Sequence, residues 1–382
     1  MDFELTEEQG AIFDMARAFA VEQLAPHAIE WDQTEIFPAD VLRSTAELGM
    51  AGAYVGEEHG GSGLSRLDAT LIFEGLSYGC PSIAAFLSIH NMCAWMIDSF
   101  GSADQRAYWV PKLCAMEIIA SYCLTEPGSG SDAAALSTVA EKQGNELVLN
   151  GAKSFISGGG FSDLYIVMAR TGVDGPKGIS SVLVEKGADG LSFGANEKKM
   201  GWKAQPTAEL QFDNCHLPAT NLLGEEGAGF KYAMMGLDGG RLNIASCSLG
   251  AAQSALDKAV RYMQERKSFG KTLASFQALQ FKLADMETEM QAARTFLRQA
   301  AWKLDNKAPD ATKFCAMAKQ FTTDIAFKVA NDSLQLHGGY GYLADFGIEK
   351  IVRDLRVHQI LEGTNEIMRL IVSRHILEES RI

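Results

Sequence analysis

The chain has 382 residues, 47% of them hydrophobic and 21% charged, so it can bury large cores and is too long for one compact domain. Charges of both signs are dispersed and neither Pro nor Gly dominates, which excludes a disordered, collagen-like or coiled-coil chain. A formal net charge of -14 opposes nucleic-acid phosphates and anionic headgroups; no nucleic-acid partner and no membrane insertion are expected, and an anionic ligand must be captured by local arginines.

From residue 6 to about 116 the pattern is helical. Thr6 with Gln9 three residues on forms a capping box before apolar Ile12, Phe13, Ala16 and Phe19. Residues 38–48, 66–78 and 82–100 then read as helices stopped at Gly49, Gly79 and Gly101, and Ser102 caps another. The stretch 82–100 is apolar but interrupted by His90, Asn91 and Asp98, so it is not expected to span a membrane. Between about 118 and 226 the period falls to two, with β-rich runs at 146–149, 164–168 and 180–184 and a hairpin at Lys142-Gln-Gly-Asn145. The turns there leave no room for crossover helices, which predicts an antiparallel barrel or sandwich. Beyond residue 227 long helical patterns return over 230–267, 275–304 and 309–336, then shorter ones over 348–356 and 365–378, which suits a four-helix bundle. The expected fold is therefore α+β and multi-domain: 1–117 helical, 118–226 β, 227–382 a helical bundle.

Cys80, Cys93, Cys114, Cys123, Cys215, Cys247 and Cys315 form no CxxC pair and cluster with no histidine, which points to a reducing compartment and no metal site. With the acidic start Met1-Asp-Phe-Glu-Leu5, where a leader would be basic, a cytoplasmic location is expected.

Five runs stand out. Thr125-Glu-Pro-Gly-Ser-Gly-Ser-Asp132 follows a strand, but the next residues read as a hairpin and not as the helix a dinucleotide fingerprint needs; the run is either a plain turn or a bare backbone approaching a ligand. Lys153-Ser-Phe-Ile-Ser-Gly-Gly-Gly160 ends a strand, and Gln335-Leu-His-Gly-Gly-Tyr-Gly341 ends a long helix as a glycine cap. Arg266-Lys-Ser-Phe-Gly270 closes another helix with cations at the negative end of its dipole, or offers an arginine fork for a pyrophosphate. In Gln359-Ile-Leu-Glu-Gly-Thr-Asn-Glu366, Glu362 lies between an apolar helix end and a glycine. It is either a solvated glutamate or, if buried, a carboxylate whose pKa rises toward the range of a general base. His337 and His358 read as packed helix residues, and Cys123 as buried and inert.

In this order the runs resemble the acyl-CoA dehydrogenase family, above all Tyr122-Cys-Leu-Thr-Glu-Pro-Gly-Ser-Gly-Ser-Asp132, Gln335-Leu-His-Gly-Gly-Tyr-Gly341 and Glu362-Gly-Thr-Asn-Glu366, and the likeness covers essentially the whole chain. The resemblance implies FAD as cofactor. Its ring would be held by Tyr122, Cys123, Leu124, Thr125, Gly130, Ser131, Phe155, Ile156 and Ser157, with Thr364 and Glu366 completing the shell. Arg266, Phe269, Phe276, Gln277, Gln335, Gly338 and Gly339 would grip FAD from a neighbouring subunit, which implies a homo-oligomer, usually a tetramer. Glu362 matches the family's base, which takes the α-proton while hydride leaves the β-carbon; relatives that carry the base on a helix do so where this chain has Gly240. Ser131, Leu237, Asp238, Arg241, Leu361, Gly363 and Arg374 match positions near the acyl-CoA substrate. The runs 237–251 and 353–362 look most like the branch that oxidises isobutyryl-CoA in valine breakdown. The family implies electron-transferring flavoprotein as acceptor. Rival readings on the same fold are an acyl-CoA oxidase, a flavin monooxygenase and a non-catalytic flavoprotein scaffold.

Overall fold

The N-terminal helices are α1 (Glu7–Phe19), α2 (Ala28–Thr34), α3 (Ala39–Ser44), α4 (Arg66–Ser77), α5 (Pro81–Phe100) and α6 (Ala103–Cys114) in the computed structural model, which describes residues 4–379. Met1 to Phe3, on which part of the leader reading rests, and 380–382 at the end of the expected third domain lie outside the described residues. Thr6, Ser65 and Ser102 each form a full capping box, so hydroxyls satisfy amides that the first helical turn leaves bare. The helix read over 38–48 is α3 followed by a 3₁₀ turn, Thr45–Leu48, and Pro38 stands just ahead of it; Gly49 at φ 71° ends the turn. α5 is apolar and long enough to cross a membrane, but 72% of that stretch is buried inside the protein. Its His90 and Asn91 hydrogen-bond to Leu113 O and Met50 O, as buried polar groups must.

The middle of the chain forms β1 (Ala120–Cys123), β2 (Val139–Gln143), β3 (Glu146–Ser157), β4 (Leu164–Arg170), β5 (Ile179–Glu185), β6 (Leu191–Phe193), β7 (Thr207–Pro218) and β8 (Leu222–Leu223). One eight-stranded sheet runs β6-β7-β3-β2-β4-β5-β8, with β1 added on β4. Most pairs are antiparallel as the short turns predicted, but β1 pairs β4 in parallel, and β2 meets β4 in parallel through Val139 and Arg170. The β2–β3 hairpin supplies the crossover that the turn lengths had seemed to rule out. β4 and β5 are buried on both faces. Tyr165 and Val167 point into the sheet core with Leu149 and Phe212. Leu164, Ile166 and Met168 pack outward on Met92, Val110 and Leu113 of α5 and α6.

The C-terminal region contains α7 (Gly229–Glu265), a hairpin of β9 (Lys267–Ser268) and β10 (Lys271–Thr272), then α8 (Gln277–Asp305), α9 (Ala311–His337), α10 (Ile348–His358) and α11 (Asn365–Glu379). α7, α8 and α9 share a core of Leu242, Leu249, Met286, Met290, Leu297 and Val329. The shorter α10 and α11 pack on α9, so the bundle has three long members of its own. α4 joins it from the N-terminal region. Its first amides, Arg66 N and Leu67 N, donate to Asp305 at 2.7 and 3.1 Å, and Glu74 accepts Arg294 Nε at 2.7 Å.

The sheet region is tied to α10 by buried polar bonds. Trp202 N donates to Asp354 Oδ1 at 2.6 Å, and Trp202 Nε1 donates to His358 Nε2 at 3.1 Å. Ser248 Oγ donates to Ile244 O, so it accepts from His358 Nδ1, 2.7 Å away. Burial and then the Lys319 charge lower the imidazole pKa to about 3, so the ring is neutral. His337 is packed as expected too, stacked on Tyr262 and bonded to Ser333 O. All seven cysteines are free and buried, and burial raises the Cys123 thiol far above its ordinary range.

Candidate active site

α10 ends where the chain must turn sharply, and the residue at that turn is Glu362. Its φ is 56° and that of Gly363 is 85°, so two consecutive residues are left-handed, a conformation that costs a non-glycine residue. The side chain turns inward. Glu362 Oε2 is sealed from solvent with no hydrogen-bond partner, which rules out the solvated reading. Burial raises the carboxyl pKa from 4.5 to about 7, against the lowering pull of Arg241 and then Lys319. The space for the carboxylate comes from α7: a Cβ at Gly240 would stand 2.5 Å from Glu362 Oε2 and 2.9 Å from its Cδ. Arg241, the next residue, is buried behind the turn; its Nε donates to Glu362 O at 3.3 Å and its Nη1 to Asp238 at 2.6 Å.

Tyr122 Oη on β1 is the companion feature. It too is buried without a partner, and burial and then the Glu362 carboxylate raise its phenol well above its ordinary value. The buried Cys93 thiol of α5 is raised by burial, Cys123 and Glu362 in turn. β1, α5, α7 and the 359–365 turn therefore converge on one carboxylate.

The expected ring-binding residues gather beside it. Ser154 N donates to Thr125 O at 2.8 Å and Ser121 Oγ to Ser157 O at 2.5 Å, which joins β1 and the loop after it to the end of β3. Phe155 sits at a bulge in β3 with φ 59° and is 68% exposed, so its ring points away from the sheet core. Leu124, Gly130 and Ser131 lie on the loop after β1, which a buried pair secures. Lys153 Nζ donates to Glu126 Oε1 at 2.6 Å, and Glu126 also accepts from Ser137 N and Thr138 N. Burial alone would raise the Glu126 carboxyl; Lys153 and these bonds outweigh it and hold it at about 2.

Of the other expected FAD contacts, Arg266, Gln335, Gly338 and Gly339 line a separate cleft of about 520 Å³ together with Tyr340, while Phe269, Phe276 and Gln277 do not line it. Phe269 and Phe276 stand edge to face 6.4 Å apart beside Gln277, the first residue of α8. Nothing crowds Gly338 or Gly339, whose added Cβ would meet open space. None of the first group lines this cleft. Thr364 accepts from Ile367 N as the cap of α11, with Glu366 exposed in the first turn. Among the expected substrate contacts, Leu237, Leu361 and Gly363 are half-buried near the turn and Arg374 is exposed on α11. Asp238 is buried and gives both oxygens to the protein, one to Arg241 and one to Thr312 Oγ1 at 2.7 Å. A cavity of about 250 Å³ lined by Lys258, Arg261 and Lys350 lies away from all of these.

A flat ring beside sealed polar atoms and a pyrophosphate near an arginine and bare glycines is what FAD asks for, so the donor set fits it. The reading of the sequence missed Lys319, whose Nζ donates to Gly363 O at 2.8 Å, and the Glu126–Lys153 pair. The available signal was a lysine on an otherwise apolar stripe, Cys315, Ala318, Lys319, Thr322 and Ala326, all buried.

Comparison with known proteins agrees with this geometry. Three family models match in order: acyl-CoA dehydrogenase N-terminal domain over 6–117, middle domain over 121–215 and C-terminal domain over 227–377. The chain is 55% identical to mitochondrial isobutyryl-CoA dehydrogenase of Bos taurus and 56% identical to that of Dictyostelium discoideum, each over 98% of this chain and 90% of the relative. The solved structure of butyryl-CoA dehydrogenase from Megasphaera elsdenii superposes with a TM-score of 0.95 at 39% identity, over 99% of this chain and 100% of that one.

Proposed function

The chain belongs to the acyl-CoA dehydrogenase family, and on that premise we propose that its substrate is isobutyryl-CoA and its base Glu362. It is an FAD-dependent oxidoreductase of acyl-CoA thioesters. The observation that carries the base assignment is a half-buried glutamate with one carboxylate oxygen, Oε2, sealed and unpartnered, its pKa raised to about 7, opposite a glycine that leaves it room. Glu362 takes the proton from the α-carbon, and the product is the 2-enoyl thioester. Bound FAD supplies the oxidant that accepts the hydride from the β-carbon. Arg241 holds the backbone of the base and keeps positive charge beside it while the proton moves. The rigid β1–β3 junction fixes the ring-facing residues relative to that proton, and positioning of this kind is a large catalytic contribution.

The isobutyryl assignment is supported by the two relatives above and by Leu361, half-buried beside the base. We also assign the second cleft, with Arg266, Phe269, Phe276, Gln277, Gln335, Gly338 and Gly339, to FAD bound chiefly by a neighbouring subunit of a homotetramer. Electron-transferring flavoprotein is the acceptor, the domain limits fall at 117/118 and 226/227, and the free, buried cysteines favour the cytoplasm. The test is anaerobic addition of isobutyryl-CoA or butyryl-CoA to the yellow holoenzyme and to Glu362→Gln. Faster bleaching by isobutyryl-CoA in the wild type alone supports the reading; preference for butyryl-CoA removes the branched-chain assignment, and steady peroxide release under air would favour an oxidase.

A further inference from the structure

Lys319 is fully buried on α9, yet its Nζ donates to two uncharged oxygens, Gly363 O at 2.8 Å and Asn365 Oδ1 at 2.9 Å. Among the described residues no carboxylate bonds it. A buried ammonium in that state is costly, and a methionine would fill the space without the penalty. The bonds it makes explain its presence. One turn further along α9, Asn365 Nδ2 reaches Thr323 Oγ1 at 3.0 Å and Asp324 Oδ1 at 2.7 Å, and Asp324 Oδ1 accepts Gln359 Nε2 at 2.7 Å. α9 thus grips residues 359, 363 and 365, on both sides of Glu362, and can hold that left-handed residue in place.

We propose that Lys319 is a positioning residue for the Glu362 base: it locks the turn that carries the carboxylate and supplies, from α9, the second positive charge that the carboxylate faces. The first is Arg241 on α7; Tyr122 and Cys93 face it uncharged. Lys319 itself faces Glu362, Arg241, Asp324 and Glu366, and the His358 imidazole of α10, which burial and the Lys319 charge keep neutral. The influence is mutual. Burial lowers the Lys319 pKa to about 7 and Glu362 is the largest influence restoring its charge, while Lys319 in turn lowers that of Glu362. Without the ammonium, Glu362 would hold its proton to higher pH.

This inference rests on Glu362 being the base. The experiment is the pH profile of kcat for FAD-loaded wild type, Lys319→Met and Lys319→Arg, with flavin content and Tm recorded alongside. The methionine variant is expected to lose about tenfold in kcat at pH 6 and to approach the wild type by pH 9, a one-unit upward shift of the acid limb. The arginine variant keeps the charge and is expected to keep the limb. A loss equal at every pH, or no loss, overturns the proposal. If Lys319→Met does not fold, Asn365→Ala, which removes one of its acceptors and part of the clamp, is expected to move the limb the same way by a smaller amount; an unmoved limb overturns it. Retained turnover in Glu362→Gln would instead remove the base assignment beneath it.

Discussion

The turn at 359–365 and the rim formed by 266–277 with 335–343 are built on opposite terms. At the turn, buried polar atoms are matched within one chain, apart from Glu362 Oε2 and, on β1, Tyr122 Oη. At the rim the chain leaves aromatic surface bare: Phe269 is 93% exposed and Tyr342 82%. The difference teaches that the turn is satisfied from within the chain except at two buried atoms, whereas the rim beside Arg266 leaves aromatic surface exposed, which is what the proposed FAD grip by a neighbouring subunit requires. Large apolar side chains on a rim beside a cation mark a binding surface more often than an accident of the surface.

Removing the base should break the closed half most severely. Glu362→Gln is expected to lower kcat by about 10³-fold, within the usual range for a general base, while the protein stays yellow. Gly240→Ala comes next. Its methyl carbon would stand 2.5 Å from Glu362 Oε2, so the carboxylate must move by about 1 Å, a displacement that costs about 10²-fold in kcat with the pH optimum little changed. For Glu362 to act as base it must be ionised, and its folded pKa is raised; kcat/KM is therefore expected to fall about tenfold per unit as pH drops below about 7 and to level above it. Lys153→Met strands Glu126 in the loop beneath the ring-binding residues. Breaking a buried pair of this kind costs about 3–5 kcal/mol, read as a lower denaturation midpoint. Because Glu126 is held at about 2, its contribution to stability is present above the ordinary carboxylate range and lost as pH falls toward 2. The smallest effect should be at the open half: Arg266→Ala is expected to leave Tm nearly unchanged and to release FAD on dilution, seen as a gain of free-flavin fluorescence.

Most of this architecture was legible because it is written in local chemistry. Capping hydroxyls at Thr6 and Ser102, glycine stops at Gly49 and Gly101, and the two-residue turn at Gly144-Asn145 mark where elements begin and end. The parallel contact of β1 with β4 was not legible, since pairing across about 40 residues depends on which edge the intervening hairpin leaves open. The burial of Glu362 was legible only as one of two readings of its setting. Nothing near Glu362 in sequence says that its Oε2 is sealed.

What the sequence by itself determined is therefore the order of helices and strands, the family likeness, and the set of residues able to act as base, clamp and phosphate grip. Tertiary structure alone decided which of them meet. Gly240 yields its side-chain volume to a carboxylate 122 positions later, and Lys319 spends a buried charge on the turn that bears it. Burial and field are properties of the space around a group, and that space is assembled from α5, α7, α9 and β1, which lie far apart along the chain.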